Sequence, residues 1–367
     1  MQARSYQIAT PGKLLIAGEY AVTELNQPGI VVAVNRYINV SIAESNAQVL
    51  DLPQLGLNQV KWYYVDGKVT FSISDNRLRF MQQAMQTVYA YLAEQQITIQ
   101  PFQLSVTSEL DDSSGIKYGL GSSAAITVAT ISAILRLHKD ETLDKDIIYK
   151  LAAISHFQTQ GNGSCADIAA STYGGWLHYT SFDGSWLLKQ LKTQCNISKI
   201  VDGNWASLHI EKLNLPSSLV FCVGWTGKAA ATAPMVTRIQ QLKENNQQGY
   251  QNFLMDSQKA VETIVNGCKT DNAKLMLDGI KQNRNVLRRL SNQAGVEIET
   301  TLLNQLANLA EDYGSGKSSG AGGGDCGIAF VEGEENVVKL NQVWEQIGIK
   351  TLDLMPSING TRIIKHE

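Results

Sequence analysis

Long apolar runs, paired cysteines and an excess of basic charge are missing from this chain, and each absence closes off a class of protein. No apolar stretch approaches the roughly 20 residues of a membrane-spanning helix. Residues 1–15 contain neither a charged segment followed by a sustained apolar one nor a small-residue cleavage site, so the expected location is the cytoplasm, with no membrane partner. The five cysteines, Cys165, Cys195, Cys222, Cys268 and Cys326, are odd in number and scattered, without a C-x-x-C pair. That argues against both a disulfide framework and a zinc site, and the thiols are expected to be reduced, mostly packing residues. The histidines His138, His156, His178, His209 and His366 show no ligand spacing with one another or with acidic residues. A formal charge of -3 supplies no field for nucleic acid, so an anionic ligand has to be held by a local site.

The chain has 367 residues and is 44% hydrophobic, enough for a full core and for two domains. Three segments rich in small residues occur in fixed order. They are Pro11-Gly12-Lys13 running to Gly18-Glu19-Tyr20, then Tyr118-Gly119-Leu120-Gly121-Ser122-Ser123-Ala124, then Ser319-Gly320-Ala321-Gly322-Gly323-Gly324-Asp325-Cys326-Gly327. Together they read as a phosphate site. In the middle segment the glycines let backbone N–H groups close on an anion, and the apolar run that follows opens a helix whose N-terminus favours negative charge. Its hydroxyls are available to a phosphate or to a magnesium ion, and the metal expected here is one that arrives with a nucleotide.

Residues 29–43 are rich in Val and Ile with alternating polar positions, which predicts paired antiparallel strands. Residues 78–93 carry apolar positions at helical spacing, residues 102–106 revert to strand, and helices follow over residues 122–137 and 146–159. Gly161-Asn162-Gly163-Ser164 is a turn, Asp167 opens a further helix, and residues 176–180 form a strand. Residues 182–215 are polar with turn signals, placing a domain boundary before Pro216, so that 1–215 and 216–367 are the expected units. Beyond it come a strand at 218–225, helices at 234–245, 250–266, 273–290 and 300–313, the third glycine-rich segment as an interruption, a strand at 328–331, a helix at 335–347 and a closing strand at 350–354. The class is α+β, with helices covering one face of a sheet in the second half.

Gly316-Lys317-Ser318 looks like the end of a Walker A loop, but that motif needs glycine where Glu311 stands; likewise the G-x-G-x-x-G frame would need glycine at Ala124. The order P-G-K-x-x-x-x-G-E, G-L-G-S-S-A-A, S-G-A-G-G-G-D instead resembles the three motifs of the GHMP kinases, which phosphorylate small metabolites from ATP. The resemblance spans nearly the whole chain. Gly18-Glu19-Tyr20, residues 117–121, 163–167 and 224–226, and residues 317–320 are most similar to the bacterial phosphomevalonate kinases.

This resemblance implies an N-terminal domain of the ribosomal protein S5 domain 2 type, a ferredoxin-like C-terminal domain, and substrates meeting in the cleft between them. It implies ATP and Mg²⁺ as cofactors and phosphomevalonate as the small-molecule partner of a monomer or homodimer. Gly119, Leu120, Gly121, Ser122, Ser123, Ala124 and Ala125 would wrap the nucleotide phosphates, with Ser122 or Ser123 on the metal. Lys13, just after a Pro-Gly turn, would neutralise charge on the transferring phosphoryl group, with Lys117 as second cation and Asp167 against the acceptor. Tyr20, Asn162, Ser164, Thr232, Ser319, Gly320 and Gly322 match substrate-side positions. An acceptor hydroxyl would need a base, whereas a phosphomonoester, with a second pKa of about 6, is mostly dianionic at neutral pH. Asp167 is therefore expected to orient Lys13 and the acceptor. Glu19 has two readings, holding Lys13 or forming a structural ion pair. Cys326 reads as a packed thiol, and Trp62, Tyr63 and Tyr64 border an adenine pocket or belong to the core. A hydroxyl-directed kinase such as mevalonate kinase, an ATP-dependent decarboxylase and a silent sensor are the rival functions.

Overall fold

The computed structural model describes residues 4–112, 114–139, 142, 144–193, 196–230 and 232–366; Cys195 and part of the polar stretch after the 122–137 helix lie outside them. The chain opens with strand β1 (Ser5–Ala17), followed by β2 (Pro28–Glu44), β3 (Val49–Leu52), β4 (Leu57–Val65) and β5 (Lys68–Phe71). Helix α1 (Arg79–Glu94), β6 (Phe102–Ser108), α2 (Ser122–His138), α3 (Lys145–Gln160), α4 (Ala166–Tyr173) and β7 (Trp176–Thr180) come next. Then α5 (Gly184–Lys192), α6 (Ile197–Asp202) and β8 (His209–Leu213) complete this half. The second half runs β9 (Leu219–Trp225), α7 (Thr232–Asn245), α8 (Gln247–Lys269), α9 (Ala273–Ala294), α10 (Thr301–Ala310), β10 (Gly314–Ser318), β11 (Cys326–Glu332), α11 (Glu334–Gln346), β12 (Lys350–Leu352) and β13 (Arg362–His366).

The first sheet is ordered β13-β1-β2-β6-β3-β4-β5, with β7 beside the other end of β2 and β8 beside β7. The pair of strands expected after the first motif is one 17-residue strand, β2, which serves β1 along one edge and β6 and β7 in turn along the other. Pro11-Gly12 is not a turn. It lies inside β1 at a bulge, where the register jumps from Pro11↔Tyr37 to Gly12↔Val34. Proline lacks the ladder N–H, and a bulge is where a strand accommodates it. Helices α1 to α4 cover one face. In α1, Met81, Met85, Val88 and Leu92 are buried, as the period requires. Asp144 caps α3 by accepting from the Asp146 and Ile147 N–H groups, and Gly161 ends it in the left-handed region.

The second sheet is ordered β10-β11-β9-β12 and is wholly antiparallel. Taken in chain order, β9, β10, β11 and β12 stand 2-3-1-4 with helices on the two long connections, which is the ferredoxin-like arrangement. Between the expected helix ending at 313 and the glycine-rich segment at 319–327 the structure adds a strand the sequence reading lacks, β10. A Cβ on Gly316 would lie 2.8 Å from Ala310 Cβ, so glycine here admits helix α10 directly onto the strand. Residues 350–354 do not close the fold. β13 returns to pair with β1, so the last residues sit in the first sheet. Trp62 is fully buried against Phe102, with ring centroids 4.7 Å apart, and Tyr64 meets Tyr89 edge-on at 4.7 Å, so these aromatics belong to the core of the β3–β5 arm. Tyr63 faces solvent.

Candidate active site

The three glycine-rich segments meet and are stitched pairwise. The Lys13 N–H donates to Leu120 O at 2.8 Å, and a Cβ on Gly12 would fall 2.8 Å from the same oxygen, so β1 presses directly on the turn before α2. The Cys326 thiol donates to Tyr118 O at 3.2 Å, joining the third segment to the second. Burial pushes that thiol well up, with Asp325 adding to the effect, so it is a packed group and not a nucleophile. Ser319 Oγ donates to Leu15 O at 2.8 Å and Tyr20 OH to Ala321 O at 2.5 Å, joining the third to the first.

The strongest joint between these two segments is an ion pair. Lys317 Nζ bonds Glu19 Oε1, with Lys317 0% and Glu19 1% exposed, and also donates to Ile16 O at 3.1 Å and Ser318 O at 2.6 Å. Of the two readings of Glu19, the structure selects the structural pair. Its carboxyl is pushed up by burial, opposed by the charge and hydrogen bond of Lys317 and, more weakly, by the charge of Lys13. Lys317 was quoted within the resemblance at residues 317–320 but, once the Walker frame failed, was given no role by sequence.

Gly119 and Gly121 both adopt left-handed backbone, φ 82° and 77°. Gly121 is the N-cap of α2 without a capping side chain, so the N–H groups of Ser122, Ser123 and Ala124 face outward as the first turn of a helix leaves them. A Cβ on Gly121 would lie 2.9 Å from Lys13 Cε; the Lys13 stem crosses the helix entrance there. A Cβ on Gly119 would lie 2.6 Å from the Asp325 carboxylate. Asp325 is held by the Ala230 N–H on Oδ1 at 3.1 Å, while its own carbonyl accepts from Thr226 N at 3.0 Å. Burial pushes its carboxyl up, and the Ala230 bond and the charges of Lys13 and Lys117 pull it back. Both lysines therefore act on one point beside the glycine turn. Among the described residues neither ammonium has an ion pair or hydrogen bond; the Lys13 stem lies at the helix entrance, and the Lys117 charge also acts on Asp111. Asp325 was quoted in the third segment but given no role by sequence.

Asp167 is in the first turn of α4, not its cap, because the helix starts one residue earlier at Ala166. Ser171, one turn on, donates to Pro11 O at 2.8 Å, which puts the Asp167 face of α4 toward β1 just before Lys13. Ser164 precedes α4 in a turn whose carbonyl accepts from Tyr179 OH and from Ser181 Oγ at 3.1 Å, and Asn162 is exposed at its tip. Thr232 is the exposed first residue of α7, one turn before Met235, whose sulfur abuts Gly323. Gly320 faces open space, whereas Gly322 backs onto Ile298 O.

The side chains of Ser122 and Ser123 at the helix entrance could offer a metal oxygen donors only. The Ser122 and Ser123 hydroxyls have no protein partner among the described residues, and the site contains no histidine. That set suits a hard cation such as Mg²⁺ carried by phosphates.

Residues 80–175 match the family GHMP kinases N terminal domain, and residues 271–349 match GHMP kinases C terminal. The chain is 34% identical over 364 residues to a phosphomevalonate kinase of Streptomyces sp. (strain CL190), covering 95% of this chain and 96% of that protein. It superposes on a Lin0012 protein from Listeria innocua with a TM-score of 0.93 at 39% identity, covering 98% and 99% of the two chains. Streptococcus pneumoniae phosphomevalonate kinase in complex with phosphomevalonate and AMPPNP gives a TM-score of 0.82 at 26% identity, covering 96% and 99%.

Proposed function

Because the chain belongs to the GHMP kinase family, we propose that it is a phosphomevalonate kinase, transferring the γ-phosphoryl group of ATP to (R)-5-phosphomevalonate in the mevalonate pathway of isoprenoid biosynthesis. The observation that carries this reading is the pair of cations, Lys13 and Lys117, which have no ion pair or hydrogen bond among the described residues and whose charges both act on Asp325 beside the left-handed glycine turn. Two anions have to meet for this reaction, and two ammonium groups with a helix N-terminus offset their repulsion. An acceptor phosphate oxygen forms the new bond to the γ-phosphorus as the bond to the β-bridging oxygen breaks, and ADP leaves; no covalent enzyme intermediate is involved.

In this reading the backbone of residues 119–125 wraps the nucleotide phosphates, and Lys13, from β1, neutralises the group in transit. Lys117 is the second cation on phosphate. Asp167 orients Lys13 and the acceptor, and Asn162, Ser164, Thr232, Tyr20, Ser319, Gly320 and Gly322 line the acceptor side. Ser122 and Ser123 would hold Mg²⁺, which when bound neutralises charge on the ATP phosphates. Among the described residues no helix is long and apolar enough to cross a membrane. The reading carries with it a cytoplasmic enzyme, monomeric or homodimeric.

The test is ADP release with mevalonate, phosphomevalonate and diphosphomevalonate offered separately, with CO₂ followed in parallel. Turnover of phosphomevalonate alone, without CO₂, is expected. Turnover of mevalonate but not phosphomevalonate overturns the assignment in favour of a mevalonate kinase, CO₂ release in favour of a decarboxylase, and binding without ADP in favour of a sensor.

A further inference from the structure

The histidines that show no ligand spacing along the sequence do not stay apart in the fold. In the β7–β8 ladder His178 stands opposite Glu211, and His209 stands opposite Thr180, two residues along each strand, so all three side chains share one face of the sheet. His178 Nδ1 lies 3.4 Å and His209 Nε2 3.6 Å from the same oxygen, Glu211 Oε2. Each of the three offers a ligand atom within 4.8 Å of the others. Two ligands bonded to one zinc ion at ~2.1 Å with tetrahedral angles are roughly 3.4 Å apart. We propose that His178, His209 and Glu211 form a binding site for a divalent first-row metal ion, Zn²⁺ in chemical class, outside the phosphate site.

Two imidazole nitrogens and a carboxylate suit zinc better than Mg²⁺, which takes oxygen donors and keeps its waters. Three protein ligands leave the remaining position to water, which fits the exposure of His209, at 52% of its side chain. The ligands sit on two paired strands, so their spacing is held by the ladder and not by a loop. Lys269 Nζ lies 2.8 Å from Glu211 Oε1 and 2.9 Å from Oε2. An ion on Oε2 leaves Oε1 to the lysine, which then steadies the ligating carboxylate as outer-shell partners do. Lys269 ends α8, so the ion would be linked through Glu211 to the C-terminal half of the chain. Residues alternate along β7. Tyr179, which bonds the Ser164 carbonyl in the acceptor-side turn, points to the opposite face from His178.

The test uses the full chain freed of metal with a chelator and kept free of nucleotide, titrated with Zn²⁺ by calorimetry and with Co²⁺ by visible absorption. One ion per chain is expected, with a Co²⁺ spectrum lacking a thiolate band. His209→Asn, at an exposed position, is expected to weaken Zn²⁺ by at least about 10-fold, and His178→Asn/His209→Asn to abolish the equivalent. Zinc is also expected to raise the thermal midpoint of the wild-type chain and not of the double variant. An undiminished equivalent in the double variant, no uptake by the wild type, or a thiolate band overturns the proposal. These readouts do not involve kinase turnover, so they stand apart from the outcome of the substrate assay.

Discussion

Replacing Lys317 by methionine tests how the first and third segments are held together. In the wild type, Lys317 and Glu19 are fully buried, and the ammonium also serves the Ile16 and Ser318 carbonyls. Methionine keeps most of the volume but strands a carboxylate and two carbonyl oxygens. Each carbonyl that loses its partner costs about 1 kcal/mol, and removing one member of a buried pair costs about 3–5 kcal/mol in all. The cost depends on pH with a definite sign. Burial already raises the Glu19 carboxyl above its ordinary 4.5, so the folded chain binds that proton more tightly than the unfolded one. The resulting stability is full below 4.5 and is lost as pH rises through the folded value.

Without Lys317 the main opposing influence is gone, and the folded carboxyl holds its proton to higher pH. While it does so, stability falls by about 1.4 kcal/mol per pH unit. The gap between wild type and Lys317→Met should therefore widen as pH rises through the raised folded value of Glu19 in the wild type, reaching about 3–5 kcal/mol. Urea unfolding midpoints and slopes measured across that rise in pH give the gap directly. Adding Glu19→Gln to the variant is expected to recover most of the loss and flatten the pH dependence. A gap below about 1 kcal/mol that stays constant with pH refutes the reasoning, because that is how an exposed pair behaves.

Gly119→Ala places a Cβ 2.6 Å from the Asp325 carboxylate on a left-handed residue, φ 82°. It should cost about 1–2 kcal/mol and weaken AMPPNP binding by calorimetry, and unchanged binding would count against the close approach. Lys13→Ala is expected to lower kcat by about 10²–10³-fold and Asp167→Asn by less; a larger loss in Asp167→Asn would make that carboxylate a base and not a positioning group. Arg284, 3% exposed, donates to Glu299 at 2.7 and 3.0 Å and to Glu311 at 2.7 Å. Burial works against ionised Glu299, but the Arg284 bonds and charge win, and its carboxyl lies below the ordinary 4.5. That contribution is present above 4.5 and lost as pH falls through the folded value, so the deficit of Arg284→Met in thermal midpoint should shrink in acid; a deficit that grows there would contradict it.

Elements with a strong local signal were legible in the sequence. Helices α1, α2, α3, α8 and α9 declare themselves by apolar spacing, and Asp144 and Gly161 bracket α3 by capping chemistry that depends on adjacent residues alone. Strand β10 was not legible, because its glycines serve packing against α10, a partner decided in three dimensions. The bulge at Pro11-Gly12 was read as a turn for the same reason: proline and glycine suit both, and only pairing with β2 distinguishes them. The short strands β3 and β5 and the return of β13 carry too few residues for a period to show.

At the site, the segments themselves, their order and the kind of ligand they suit follow from the sequence. Glycines that reach left-handed backbone, a helix start and a nearby lysine are local properties, and Gly119, Gly121 and Lys13 express them where the sequence puts them. Which charge faces which is a long-range matter. Glu19 meets Lys317 across 298 residues, Asp325 comes to rest against Gly119, and His178 finds His209 and Glu211 only because β7 and β8 pair. Spacing along the chain carries no information about such contacts, since chain folding and not sequence separation sets the distance between them. The tertiary structure alone decided that Glu19 is tied to a structural lysine, while Lys13 has no ion pair among the described residues and lies beside the helix entrance.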